Sequence, residues 1–340
     1  MSIGEKNKMQ KYKNKLKGIT LFLALVLCLS LVALADGEVY IGGFPFGVKM
    51  TTNGVFVSAT GDIDSAVGRV CPARDAGVLE GDIIISINGK RVDSAQQVAD
   101  LISDSKGKRL ELEIKREGKA LTVNLIPVQT SDGKSYKTGL FIKDSASGIG
   151  TVTYVEEDGQ TFGGLGHGIT DRATLKLLPL GEGTVHNVEI NDVVKGSAEH
   201  PGELKGTLNS NEVGTLLKNT DMGVFGRLDK KIKALEKVEV ASPGEIKEGK
   251  CTIYTCLAGQ SSTPLEAQIV KIVDRNSDTK NFIVTLTDKK GLERAGGIVQ
   301  GMSGSPIVQN GKLVGAVTHV LMRDQTSGYG IFIENMLEAE

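Results

Sequence analysis

The chain has 340 residues, with 43 glycines, few aromatics and no tryptophan. At roughly 150 residues per domain that length accommodates about two domains, and the composition favours short strands and tight turns over long helices. A formal net charge of −1 excludes a global field that would recruit nucleic acid.

The N-terminus is distinct. Lys6, Lys8, Lys11, Lys13, Lys15 and Lys17 precede an apolar run from Ile19 to Ala35, in which only Thr20 and Ser30 are polar. A basic segment, an apolar segment and Ala33-Leu34-Ala35 before Asp36 fit a secretory signal. The run is also close to bilayer-spanning length, and the lysines would hold their end in the cytoplasm. Residues 1–35 are therefore expected to export the chain across the cytoplasmic membrane, either cleaved after Ala35 or kept as a membrane tether. Cys28 lies in that segment, preceded by Leu27 rather than the small residue of a lipoprotein signal. Of the remaining cysteines, Cys251 and Cys256 are five apart, which puts them on opposite faces of a strand. Buried free thiols are expected. No Cys/His spacing resembles a zinc site, so neither metal nor cofactor is called for.

Beyond Gly43 a first module is expected, extending to Val128. "DIIISI" (Asp82–Ile87) suits a strand buried on both sides, and Asn88-Gly89 gives a tight turn. Ser94 with Gln97 forms a capping box for a helix whose apolar face is Val98, Leu101 and Ile102. Leu110, Leu112 and Ile114, a turn at Glu117-Gly118, then Leu121, Val123 and Leu125 read as a hairpin. The stretch "AGVLEGDIIISINGK" followed by the capped helix resembles a PDZ domain of the bacterial protease type. In such domains an extended peptide or protein C-terminus adds as a strand beside the helix, its end held by a glycine-bearing loop. The resemblance implies that Gly43, Phe44, Phe46, Gly47 and Val48, in "GGFPFGVKM", form that loop and strand. Pro45 removes one backbone donor from it.

A polar linker, "QTSDGKSYKTG", leads into a second module, 129–340, expected to be mainly β. "GIGTVTYV" reads as a strand, and "TFGGLGHGITD" is a glycine-rich turn carrying His167. "GRLDKKIKALEKVEV" has helical charge spacing and reads as a solvated face. His186 and His200 are expected at the surface. In "GMSGSP", Gly301 lets the chain turn so that the N–H groups of Gly301 and Ser303 point into one pocket. Gly304 keeps space beside the hydroxyl, and Pro306 fixes the exit into the next strand. The turn resembles the Gly-Asp-Ser-Gly-Gly-Pro turn of chymotrypsin-like peptidases, with Met302 and Ser305 as departures. Ser303 occupies the nucleophile's place; Ser305 is expected to be a turn residue. A serine nucleophile needs a neutral imidazole to take its proton, a carboxylate to hold the ring, and N–H donors for the oxyanion. His167 precedes the serine, giving the order His, acid, Ser. Among the acids between them, Asp288 ends the alternating strand "NFIVTLTD", whereas Asp171 lies in a polar turn. His319, on the strand after the serine, is a candidate lining of a specificity pocket.

"TDKKGLERAGGIVQGMSGSPIVQNGKLVGAVTHVL", with "FGGLGHGITD", "GSAEHPGELKG" and "NTDMGVFGRL", resembles the sporulation stage IV protein B peptidases, the S55 family. The resemblance covers the exported chain. It implies a chymotrypsin-like double β-barrel after the PDZ domain, with His167 as general base, Ser303 as nucleophile and Asp288 as the acid. It also implies self-cleavage near the N-terminal side, then cleavage of a membrane-embedded regulator of an intramembrane protease in a sporulation signalling cascade. The alternatives from other classes are a catalytically inactive PDZ-containing adaptor that binds peptide termini, and a structural protein of the cell envelope.

Overall fold

The computed structural model describes residues 37–197, 200–232 and 234–340; the expected export segment lies outside them. The described chain begins with β1 (Glu38–Ile41) and β2 (Pro45–Thr60). In β2, Phe46, Val48 and Met50 are buried while Lys49, Thr51 and Asn53 are exposed. That two-residue period is what an extended chain with one face on a core requires.

The chain then leaves to build a small α+β module. It comprises β3 (Ile63–Ser65), β4 (Gly68–Val70), α1 (Pro72–Asp75), β5 (Ile83–Ile87) and β6 (Lys90–Arg91). α2 (Ala95–Asp104), β7 (Leu110–Arg116), β8 (Lys119–Leu125), β9 (Val128–Gln129) and β10 (Tyr136–Lys137) complete it. The capping box forms: Ser94 Oγ accepts the Gln97 N–H (3.2 Å), and Gln97 Oε1 accepts the Asp93 N–H (2.8 Å). Val98 and Ile102 turn inward onto Val55, Val57, Ile84, Ile87, Leu112, Ile114 and Leu125. Each such side chain contributes about 1.5–3 kcal/mol when fully buried.

The chain returns through β11 (Leu140–Val155), as long as β2 at 16 residues. β11 pairs antiparallel with β2 from Leu140↔Thr60 to Thr151↔Pro45. One end of this ribbon belongs to the module, where β2 also pairs β5; the other end belongs to the peptidase body. The module is thus inserted between two strands of the body, not appended before it. This corrects the expected boundaries at 43 and 128. The alternation of "FPFGVKM" specifies a strand but not its partner, and the partner lies about a hundred residues away.

Beyond β11 the body continues with β12 (Thr161–Gly164), β13 (Leu180–Val194), β14 (Glu203–Thr220) and β15 (Gly223–Leu228). The pairings β2–β11, β11–β12, β12–β15, β15–β14, β14–β13 and β13–β2 close a six-stranded antiparallel barrel. Phe46, Val48, Val152, Phe162, Val185, Leu216 and Val224 fill it. Phe46 meets Phe162 edge-on with centroids 5.6 Å apart. β16 (Lys237–Val240) joins β1 to the second half of the body. Among the described residues, the segment from Gly226 to Val240 ends one strand and forms another, with no helix.

The second half comprises β17 (Gly249–Thr255), β18 (Thr263–Ile272), β19 (Phe282–Leu286), α3 (Lys289–Ala295), β20 (Pro306–Gln309), β21 (Lys312–Leu321) and β22 (Asp324–Phe332), then α4 (Ile333–Ala339). Its strands close in the order β17–β18–β19–β22–β21–β20–β17, a second six-stranded barrel. Ile253, Leu265, Ile269, Phe282, Val284, Ile307, Val314 and Val317 lie in its core. Closure leaves neither barrel with an unpaired edge around its ring. Cys71, Cys251 and Cys256 are free and buried, and desolvation pushes the Cys251 thiol up to about 12.

Candidate active site

The turn carrying Ser303 lies in the second barrel but is held by the first. Gly301 (φ +96°) and Gly304 (φ +92°) adopt the left-handed region, which L side chains rarely occupy. A Cβ on Gly304 would collide with the Thr151 carbonyl and the Leu165 amide. β11 grips the turn through three bonds. The Thr151 N–H donates to Ser303 O (2.9 Å), Thr151 Oγ1 to Gly301 O (2.9 Å), and Thr153 Oγ1 to Gly304 O (2.8 Å). The N–H groups of Met302, Gly304 and Ser305 are bonded to Val299, Val317 and Met302 carbonyls. Those of Gly301 and Ser303 have no acceptor among the described residues. They are the two donors this turn leaves available for an oxyanion. Ser303 Oγ donates to Thr318 O (2.7 Å). Ser305 is fully buried, with Oγ donating to Thr255 Oγ1 (3.0 Å), which suits a turn residue.

His167 follows β12 across a tight bend in which Leu165 (φ +65°) and Gly166 (φ +64°) are both left-handed. A non-glycine residue held there costs on the order of 1 kcal/mol or more. The bend aims the imidazole into a cavity of about 970 Å³ whose wall also includes Ser303, Gly301, Thr318 and His319. Nδ1 lies 2.9 Å from the Gly168 carbonyl. A carbonyl only accepts, so Nδ1 carries the proton and Nε2 keeps the lone pair. Burial lowers the His167 pKa below the ordinary imidazole value, against the opposing pull of that carbonyl. The ring is thus neutral at pH 7, the form a general base requires.

His319 lies against His167, with ring centroids 4.8 Å apart and planes tilted by 37°. Its pKa is pushed down by desolvation, then by neighbouring His167 and Lys280. It forms one wall of the cavity and is a neutral neighbour of the base.

Asp288 does not join them. It ends β19 as the sequence suggested, but as the N-cap of α3 its carboxylate accepts the Gly291 N–H (2.7 Å). It does not line the cavity. Lys280, whose charge acts on His319, precedes β19, whereas Asp288 follows its opposite end. Asp171 is also committed elsewhere. Fully buried, it accepts from Lys143 Nζ (2.5 Å), Ser58 Oγ (3.1 Å) and the Thr174 N–H (2.9 Å). Against the cost of desolvation, these bonds, Lys143 foremost, bring its pKa to about 2. It pins the segment after His167 to β2 and β11. Two other acids, Asp221 and Asp278, line the cavity with His167 and Ser303. His186 is buried, with Nδ1 3.0 Å from Asn209 O and Nε2 2.9 Å from Thr184 Oγ1; His200 is exposed.

The peptide groove expected at Gly43, Phe44, Phe46, Gly47 and Val48 is not there. Phe46 and Val48 are in the first barrel's core. Phe44 packs against that core, and the Gly43 N–H is bonded to Val152 O (2.7 Å). A Cβ on Gly47 would strike Leu208. An open groove does exist in the inserted module. Residues 140–146 of β11 pair with β2 on one edge, and the other edge has no strand partner among the described residues. α2 stands opposite it, and Ala95, Ala99, Ile102, Gly139, Leu140 and Phe141 line a cavity of about 990 Å³ between them. Gly139 (φ +78°) turns the chain into the strand, and Phe141 is 60% exposed.

Two antiparallel barrels, a serine turn on one, a neutral histidine from the other and an inserted PDZ-like module are the arrangement of a chymotrypsin-like serine peptidase. The sequence matches the family described as SpoIVB peptidase S55 over residues 134–337, and a PDZ domain over 63–116. The chain belongs to the SpoIVB peptidase S55 family. It is 38% identical over 104 residues to a Lactococcus lactis protein named as a zinc metalloprotease, LL2128, which covers 28% of this chain and 22% of that one. It is 45% identical over 56 residues to serine protease HTRA1 of Xenopus tropicalis, covering 16% and 12% of the two chains. The chain therefore spans less than a quarter of either relative. The inactive form of the Rv3671c protease superposes with a TM-score of 0.33 at 14% identity, covering 56% of this chain and 81% of that one.

Proposed function

We propose that this protein is an exported serine endopeptidase that processes itself and then cleaves a membrane-associated regulatory protein in a sporulation signalling cascade. The observation that carries the catalytic part is the Ser303 turn. It leaves two N–H groups without acceptors in a cavity shared with a neutral imidazole. For attack, Ser303 Oγ exchanges its bond to Thr318 O for one to His167 Nε2, which takes the proton as the Oγ–C bond forms. The N–H groups of Gly301 and Ser303 receive the oxyanion. The imidazolium then gives its proton to the leaving amine as the C–N bond breaks, and water attacks the acyl-enzyme by the same route. β21 beyond Val317 lines the cavity and is the strand beside which the substrate backbone lies. The groove between α2 and β11 takes a peptide or protein terminus as an added strand. The resemblance to the family's members and the basic-apolar N-terminus support the cascade and the membrane-proximal location.

The test is a fluorophosphonate probe on the purified full chain. Labelling should occur, vanish in Ser303→Ala and survive in Ser305→Ala. Equal labelling of wild type and Ser303→Ala refutes the assignment. An inactive adaptor would take no probe while still binding peptide termini.

A further inference from the structure

Attack by Ser303 fixes where the neighbouring substrate side chain must go. The attacked carbonyl has its carbon at Ser303 Oγ and its oxygen on the N–H groups of Gly301 and Ser303, and the backbone before the scissile bond lies beside β21. The side chain one bond from that carbonyl then falls between two stretches of chain. One is residues 298–301, which lead into the serine turn; the other is residues 317–320 of β21. Both line the cavity. In chymotrypsin-like peptidases the size and charge of this recess set which residue is accepted there.

In this protein the recess is narrowed by its own branched side chains. The chain before the serine turn is laid on β22. The Ile298 N–H donates to Gln325 O (2.8 Å), and a Cβ on Gly297 would strike the same carbonyl. Ile298 is buried, and its side chain reaches Gly328 of β22: a Cβ added there would lie 3.1 Å from Ile298 Cδ1 and 2.9 Å from His319 O. Gly328 is in turn the register partner of Val320. Val320 is half-buried, packs against the second barrel's core and lines the cavity. Two branched side chains thus adjoin Gly328, and the space they leave is shallow and apolar.

Charge is absent from both stretches, which hold no Asp, Glu, Lys or Arg. The Thr318 hydroxyl donates to Tyr329 O (3.2 Å). Asp324, which opens β22, accepts from the Thr326 N–H, Thr326 Oγ1 and Ser327 Oγ, and does not line the cavity. Arg172, Asp221, Asp278 and Lys280 reach the cavity from other segments: after His167, between β14 and β15, and before β19. A lysine or arginine entering the recess would lose water without gaining a countercharge.

We propose that Ile298 and Val320 are specificity-determining residues that restrict the residue before the scissile bond to a short uncharged side chain, alanine or valine rather than phenylalanine, lysine or arginine. This deepens the peptidase reading and rests on Ser303 being its nucleophile, so the experiment reads the two separately. The purified full chain is labelled with a fluorophosphonate that carries no amino-acid side chain, and with peptidyl diphenyl phosphonates carrying Ala, Val, Phe or Lys next to phosphorus. The Ala or Val probe should react at least about tenfold faster than the Phe and Lys probes. Ile298→Ala should shift the Phe-to-Ala rate ratio towards Phe by about tenfold or more. Val320→Ala, at a half-buried position, tests the same recess should the buried variant fail to fold, and should shift the ratio in the same direction. A wild type that takes the Phe or Lys probe as fast as the Ala and Val probes overturns the proposal while the fluorophosphonate still labels. So does a Phe-to-Ala ratio unmoved in every variant that folds. If the fluorophosphonate fails to label the wild type, the catalytic reading itself falls, and the proposal with it.

Discussion

Asp171 offers a stability measurement with a definite sign. Its carboxylate is fully buried and bonded to Lys143, Ser58 and two backbone N–H groups, and its pKa falls from 3.8 to about 2 despite the cost of desolvation. A shift of about two units corresponds to about 2–3 kcal/mol of stability. A lowered folded-state pKa means the unfolded chain binds the proton more readily. The stabilisation is therefore complete above about pH 4–5 and is lost as pH falls towards 2. Asp171→Asn keeps the shape but not the charge. It should cost about 2 kcal/mol at pH 7, and the gap to wild type should shrink progressively below pH 4. Urea unfolding across pH 2–7, with unchanged m-values, reads this directly. A gap that stays constant down to pH 2 would show that the carboxylate is not held ionised by Lys143 and its other partners. A truncation to Ala is a different experiment, because it strands the Lys143 charge and should cost more, about 3–5 kcal/mol.

Two further outcomes follow from the site geometry. Because burial lowers the His167 pKa, fluorophosphonate labelling should fall with a midpoint below the ordinary imidazole value as the neutral ring is lost; a midpoint above that value would contradict a desolvated base. Ala99→Arg, which fills the groove between α2 and the open edge of β11, should weaken binding of a peptide C-terminus by tenfold or more in fluorescence anisotropy, and unchanged affinity would place the peptide site elsewhere.

The features legible in the sequence are those written in a few consecutive residues. Ser94 and Gln97 announce a helix start, and both bonds form. Gly301 announces a tight turn and has the positive φ it needs. The odd spacing of Cys251 and Cys256 announces separate faces, and both thiols are free. The His167 bend and the Ser303 turn share a cavity because each is a local bend whose glycines let backbones approach closely. What failed was partnership. "GGFPFGVKM" was recognisable as loop and strand, but the same alternation serves a PDZ edge or a barrel wall. Only the pairing of β2 with β11 and β13 decides for the barrel. His186 looked like a surface residue, yet it is buried with its ring bonded at both nitrogens.

The position of Asp288 shows the same limit more sharply. An aspartate ending an apolar strand has a packed backbone and a fixed side chain, which favoured Asp288. The fixing is real, but it is done by the helix that starts one residue later, and an N-cap carboxylate is occupied by the first turn's N–H groups. Asp221 shows no local sign of its place. Thr-Asp-Met-Gly reads as an ordinary polar turn, and it stands more than fifty residues after His167 in the chain. It reaches the catalytic cavity only because the first barrel closes, so that β12, which leads into His167, pairs with β15, which leaves the Asp221 turn. Ring closure turns the ends of sequence-distant strands into neighbours at one rim. A histidine at the exit of one strand and an acid at the entry of the strand it pairs with therefore come to line one cavity, whatever the spacing along the chain.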